Sequence, residues 1–242
     1  SAAFIRIIRK RHIMIHSNRR TFCKAAGLAA GALAFLDQAG LAVAQGKPAS
    51  ILTGKPNMKL GLVTYNLAKD WDIETIIKNC EAAGFQGVEL RTTHAHKVEV
   101  ALGKAEREQV KQRFARSKVE LMSLGSAFDY HTPDAAKLRR DIDATKEYIL
   151  LARDVGAGGV KVRPNGLPKE VPVSKTLEQI GASLRELGEF GEPHGVQIRL
   201  EVHGTGTAFV PHIKTIMDAA SHKNVGVCWN SNNSDLDGGG FD

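Results

Sequence analysis

Cysteine is scarce in this chain, with only Cys23, Cys80 and Cys228 in 242 residues. No CxxC and no zinc-type spacing connects them, which excludes a disulfide scaffold and a small zinc module. Cys80 falls in a helical pattern and Cys228 in a strand pattern, where cysteine behaves as a small buried hydrophobe, so a Cys80–Cys228 disulfide is not expected. Long apolar runs are also missing. The longest, Ala25 to Leu36, is about a dozen residues against the roughly 20 that span a bilayer, and Asp37 ends it, so an integral membrane protein is not expected. There is no GxSxG, P-loop, HExxH or EF-hand pattern, and no GxGxxG follows any strand-like run. An excess of one charge is lacking as well, once the N-terminus is set aside. Of the 33 Lys and Arg and 26 Asp and Glu, residues 1–46 hold seven basic and one acidic, leaving 26 against 25. The sequence pI of 9.4 therefore belongs to the N-terminal segment, and nucleic acid is not an expected partner.

That segment has its own pattern. Ser17-Asn18-Arg19-Arg20-Thr21-Phe22-Cys23-Lys24 precedes the apolar run, and the small-residue site Ala42-Val43-Ala44 follows it. A basic region, a short apolar region and an A-x-A site describe a secretory signal. The arginine pair resembles a twin-arginine signal, which implies the Tat export machinery as a partner and a periplasmic or extracellular destination. The expected organisation is an N-terminal extension and export signal over 1–46, a linker over 47–57, and one domain over 58–242.

Within that domain a βα pattern repeats. Strands are expected at Leu60–Tyr65, Gly87–Leu90, Val119–Leu124, Gly159–Val162, Val196–Val202 and Val225–Trp229. Helices are expected over Ile73–Ala83, Lys104–Ser117, Asp134–Val155, Ser174–Phe190 and Ala208–Ala220, with Gly84 and Gly156 as C-caps. In the third helix Ile142, Ile149, Leu150 and Leu151 should face the core. Strict alternation implies a parallel sheet covered by helices. The fold class is α/β, a βα TIM barrel with six of eight βα units, favoured over an open doubly wound sheet. The turn after the first strand is Thr64-Tyr65-Asn66, not a glycine-rich phosphate loop, and polar residues stand at the C-terminal end of every strand, where a barrel builds its site.

Alternate strand residues share a face. Glu201 and His203 therefore project together, and a carboxylate beside an imidazole suits a divalent cation or proton transfer. A structural ion pair from Glu201 to Lys161 or Arg163 competes with that reading. Lys161, Arg163 and Asn165 leave the fourth strand, and cations there suit an anionic or polyhydroxylated substrate. Glu89, Arg91, His94 and His96 follow the second strand; the two histidines form either a metal pair or, more commonly, a solvated loop. His131 follows the third strand and Asn66 the first. Trp229, Asn230 and Asn232 close the sixth, with core packing the default for Trp229.

Glu201-Val202-His203, Trp229-Asn230-Ser231-Asn232 and the βα spacing resemble the xylose isomerase-like TIM-barrel superfamily of sugar isomerases, epimerases and related enzymes. The stretches Val88–His96 and Lys161–Pro168 resemble its exported members. The resemblance implies a small carbohydrate substrate and proton transfer next to a carbonyl. It also implies a divalent metal (Mn, Zn, Mg or Co), held by a strand-five Glu, a strand-six Asp, a strand-seven His and a strand-eight Glu. Glu201 matches the first of these, and Asn230 stands where the second is an Asp. The implied roles are catalysis by Glu201, Lys161 and His203, metal binding by Glu201 and Asn230, and substrate contact by Asn66, Glu89, Arg91, His94, His131, Arg163, Asn165, Asn232 and Asn233. No counterpart of the last two ligands precedes Asp242, and the resemblance leads us to expect a longer gene product. A non-catalytic carbohydrate-binding barrel and a metal-dependent lyase or hydrolase are the alternatives, and homo-oligomerisation stays open.

Overall fold

A computed structural model describes residues 58–231 and Asp235. The export signal, the linker, Asn232 and Asn233 lie outside the described residues.

Six parallel strands run in chain order: β1 (Gly61–Val63), β2 (Gly87–Arg91), β3 (Glu120–Gly125), β4 (Gly159–Val162), β5 (Gln197–Glu201) and β6 (Val225–Cys228). Between them lie α1 (Ile73–Ala83), α2 (Lys104–Ala115), α3 (Ala135–Val155), α4 (Val173–Gly191), a single three-ten turn at Glu192–His194, and α5 (Val210–Ala220). This is the alternating TIM-barrel-type architecture expected from the sequence.

Local chemistry sets the boundaries. The Asp72 carboxylate accepts the Thr75 N–H at 2.8 Å, and Asp134 accepts those of Ala136 and Lys137 at 2.8 and 3.0 Å, so each caps a helix start. Gly84 and Gly156 end α1 and α3 in the left-handed region, with φ of 76° and 81°, which glycine enters at no steric cost.

One sheet face is apolar. Val88, Leu90, Val160, Val162, Ile198 and Leu200 are buried against a helical layer that includes Ile76, Ile149, Leu151, Ile180, Leu184 and Ile216. The opposite face carries long polar side chains, and glycines make room for them. A Cβ on Gly125 would lie 2.8 Å from Glu89 Oε1, and one on Gly159 would lie 2.7 Å from Arg199 Nε. Gly87 clears space for Met122 in the same way.

Several expectations need correction. β1 is three residues, and α5 starts at Val210 because Gly204–Phe209 forms a turn in which Thr207 Oγ1 donates to the His203 carbonyl at 2.7 Å. Leu150 is only half-buried, since Tyr148, Ile149, Leu151 and Ala152 fill the core side of α3. Trp229 is 46% exposed and does not belong to the core. Cys228 is half-buried on the polar face, while Cys80 is fully buried; both are free thiols.

Candidate active site

Val63 and Tyr65, Arg91, Lys161 and Arg163, Glu201 and His203, and Asn230 line one cavity of about 340 Å³ at the C-terminal ends of the strands. They come from five of the six strands or the residues just beyond them. The parity of the strands brings them together, because each inward residue is followed two positions later by another.

Lys161 is at the centre. Its Nζ lies 2.7 Å from Glu89 Oε1 and 3.3 Å from Glu201 Oε1, and all three side chains are nearly closed off from solvent. Burial pulls the lysine toward its neutral form, but the two carboxylates outweigh it and hold the ammonium above its ordinary value. Asn230 Nδ2 donates to the same Glu201 Oε1 at 2.7 Å. Cys228 is in the field of these charges, and burial pushes its thiol up. His203 Nδ1 and Arg163 Nε are buried without a hydrogen-bond partner among the described residues.

The segment after β2 is held by an internal network. Thr64 Oγ1 accepts the Arg91 N–H at 3.0 Å and contacts His94 Nδ1 at 3.0 Å. The Arg91 guanidinium stacks over the Tyr65 ring, 4.7 Å from its centroid. His96 is neither a metal ligand nor a solvated loop residue: it is buried, Nδ1 accepts the Val98 N–H at 3.0 Å and Nε2 lies 2.8 Å from the Arg91 carbonyl. Burial holds both histidines below the ordinary value, helped at His94 by Arg91. Glu99 accepts from Thr92 Oγ1, the Thr93 N–H and the Tyr148 hydroxyl.

The structure thus assembles Glu89, Arg91, Lys161, Arg163, Glu201, His203 and Asn230. It leaves Asn66 and Asn165 exposed and away from the cavity lining. His131 lines a separate hollow of about 410 Å³ with Asp129 and Lys137, its Nδ1 3.3 Å from Asp129 Oδ1. His94 contacts Thr64 and is not part of the lining. Tyr65, Thr64 and Glu99 were missed in the sequence. Tyr65 could have been found from its spacing, two residues beyond inward-facing Val63.

The sequence profile of the xylose isomerase-like TIM barrel family matches residues 77–238. The chain belongs to this family. Solved structures share its fold at low identity. A zinc-bound IolI protein aligns with TM-score 0.60 and 19% identity, over 70% of this chain and 62% of that one. A probable 3-DHS dehydratase, AsbF from Bacillus anthracis, gives 0.56 and 17%, over 71% and 62%. D-psicose 3-epimerase in the presence of D-fructose gives 0.56 and 15%, over 71% and 63%. This chain therefore spans less than two thirds of each of these structures. No curated protein matches the chain.

The zinc in the IolI structure raises the question of whether the residues present here suit a divalent cation. As they stand, they do not. Among the described residues no three His, Cys, Asp or Glu side chains are placed to hold a metal ion. Glu201 and Asn230 do meet, but through an N–H donated to the carboxylate, which presents no oxygen from Asn230. The adjacent space is held by the Lys161 ammonium, and a cation placed there would face like charge.

Proposed function

We propose that this chain is an isomerase- or epimerase-type catalyst of a small carbohydrate, moving a proton on a carbon next to a carbonyl. The observation that carries this reading is the Lys161 ammonium seated between Glu89 and Glu201 inside the strand-end cavity. A carboxylate base beside a fixed cation is what enolisation requires, because the base removes the proton and the cation lowers the energy of the negative oxygen that results.

The steps follow from the donors and acceptors. Glu201 Oε1 takes both Lys161 and Asn230, which leaves Oε2 as the atom to receive the proton. The C–H electron pair moves into the C–C bond and the carbonyl pair onto oxygen, giving an enediolate. The Lys161 ammonium has three N–H donors and lies within ion-pair distance of Glu89 and Glu201, so one donor serves that oxygen. Delivery of a proton to the other face of the same carbon by an acid on that side, with Glu201 losing its proton to solvent, gives epimerisation; delivery by Glu201 to the former carbonyl carbon, with the proton of the adjacent hydroxyl passing to the enediolate oxygen, gives isomerisation. His203 orients a substrate hydroxyl.

The test is deuterium wash-in from heavy water with a panel of neutral and anionic keto-sugars. Incorporation next to the carbonyl is expected, and Glu201→Gln should abolish it with the fold intact. Exchange that persists in that variant sinks the assignment. Asn230 favours a second reading, a carbohydrate-binding barrel without turnover; it predicts sugar binding with no exchange in the unaltered chain. We further propose that residues 17–44 direct twin-arginine export. Replacing Arg19 and Arg20 by Lys should retain a fused reporter inside the cell, and unchanged export would refute this.

A further inference from the structure

The cavity carries more positive charge than its carboxylates use. Glu89 and Glu201 are both directed at Lys161. Arg91 and Arg163 line the same walls and form no ion pair among the described residues. Elsewhere Arg107, Arg113, Arg139 and Arg153 each reach a carboxylate within 3.1 Å. The Nε of Arg163 is also buried without a partner. A guanidinium N–H closed off from water with no acceptor costs free energy, and an anion delivered by a ligand offsets that cost. Arg91 is already oriented: Thr64 holds its backbone N–H, and its guanidinium lies over the Tyr65 ring, 4.7 Å from the centroid. A contact with the ring face restrains the guanidinium and leaves its N–H groups free for a bidentate contact.

We infer that Arg91 and Arg163 form an anion subsite, so that the ligand is a polyhydroxylated chain bearing a carboxylate or a phosphate, with the anion at the arginines and the reacting carbons over Lys161. The inference rests on reading the cavity as a carbohydrate site, and it separates this chain from one that takes a neutral sugar. A cavity of about 340 Å³ suits one small molecule of this kind.

Titration calorimetry on the full chain distinguishes the sources of the anion, using D-gluconate for a carboxylate, D-glucitol 6-phosphate for a phosphate and D-glucitol as the neutral counterpart. At least one anion should bind about tenfold more tightly than glucitol, the scale of one charge-assisted contact. That preference should disappear in Arg163→Gln and in Arg91→Gln. Arg163→Gln should keep the thermal midpoint, because Arg163 is half-buried and its removal breaks no ion pair among the described residues. Equal binding of all three probes overturns the inference. So does failure of both anions to bind, or a preference that survives in both variants. The readout needs no turnover: Glu201→Gln should lose deuterium exchange yet keep the anion preference, so the catalytic reading and the subsite can fail separately.

Discussion

Asn230 donates an N–H at 2.7 Å to Glu201 Oε1, the same oxygen that lies 3.3 Å from the Lys161 ammonium. The carboxamide therefore joins the ammonium in satisfying Glu201. An aspartate at this position would instead place a second carboxylate against it. The chemistry of this pair favours a site whose positive charge is supplied by a lysine.

Metal removal gives the first prediction. EDTA should leave the thermal midpoint and sugar binding of the full chain unchanged. Asn230→Asp should reverse this. Two facing carboxylates repel one another without a cation, so the variant should be less stable alone and gain stability with Mn²⁺ or Zn²⁺, read as a metal-dependent rise in the thermal midpoint. A large EDTA effect on the unaltered chain would contradict the lysine-centred reading.

Lys161→Met tests the centre itself. It leaves Glu89 and Glu201 desolvated without their counter-ion. Breaking a buried pair in this way costs about 3–5 kcal/mol, so the thermal midpoint should fall by roughly 6–20 °C. Adding Glu89→Gln should recover part of the loss, because one of the two stranded charges is removed. A Lys161→Met protein of unchanged stability would show that the cluster is solvated.

Sequence and structure agree where a signal is local. Asp72 and Gly84 bracket α1, Asp134 and Gly156 bracket α3, and each end is marked by a residue chosen for its own backbone chemistry. The strand-end residues Glu89, Arg91, Lys161, Arg163, Glu201 and His203 were legible for the same reason, since period two fixes their face. What depends on distant partners was not. Glu99 gains its role from Tyr148, far along the chain, and Gly125 gains its role from Glu89 across the β2–β3 register. His131 lies at a strand exit like the others, yet the loop after β3 carries it to a different hollow.

Gly125 yields a graded pair of substitutions with Gly191. A Cβ on Gly125 meets the mobile end of Glu89, whereas one on Gly191 meets the backbone carbonyl of Val196. Gly125→Ala should fold, with the Glu89 carboxylate shifted but still paired with Lys161, a thermal midpoint within a few degrees of the original and a lower exchange rate. Gly191→Ala forces backbone movement and should cost about 1–3 kcal/mol, seen as a lower urea midpoint. Similar midpoints for the two would refute the argument.

Acid should weaken the fold through its helix caps. The Thr75 N–H holds the Asp72 carboxyl below its ordinary value, and the Lys137 N–H does the same for Asp134. A group depressed in the folded state stabilises fully above its unfolded pKa, near 3.8, and loses that contribution as pH falls through the lower folded value. Urea midpoints should therefore drop below about pH 4. Asp72→Asn and Asp134→Asn keep an acceptor at the cap but cannot titrate, so the combined variant should show a shallower decline over that range. An identical decline would assign acid sensitivity to other groups.

The loop after β2 gives the last prediction. Glu99 accepts the Thr93 N–H at 2.6 Å, the Thr92 hydroxyl and the Tyr148 hydroxyl, which ties the loop to α3. Thr93 needs this support, since its φ of 65° is one that a β-branched residue rarely adopts. Burial, followed by the Glu99 carboxylate, pushes the Tyr148 phenol up to about 12. Glu99→Gln removes the negative charge but not the burial, so the phenol should titrate lower while staying above the ordinary tyrosine value. Amide exchange across residues 92–98 should quicken, because a carboxamide is the weaker acceptor and can direct only one oxygen at three donors. Arg91 borders this loop, so anion binding should weaken while the reacting centre at Lys161 is untouched. Ultraviolet titration, hydrogen exchange and calorimetry read these effects separately, and a Tyr148 titration unmoved by the substitution would show that burial alone sets it.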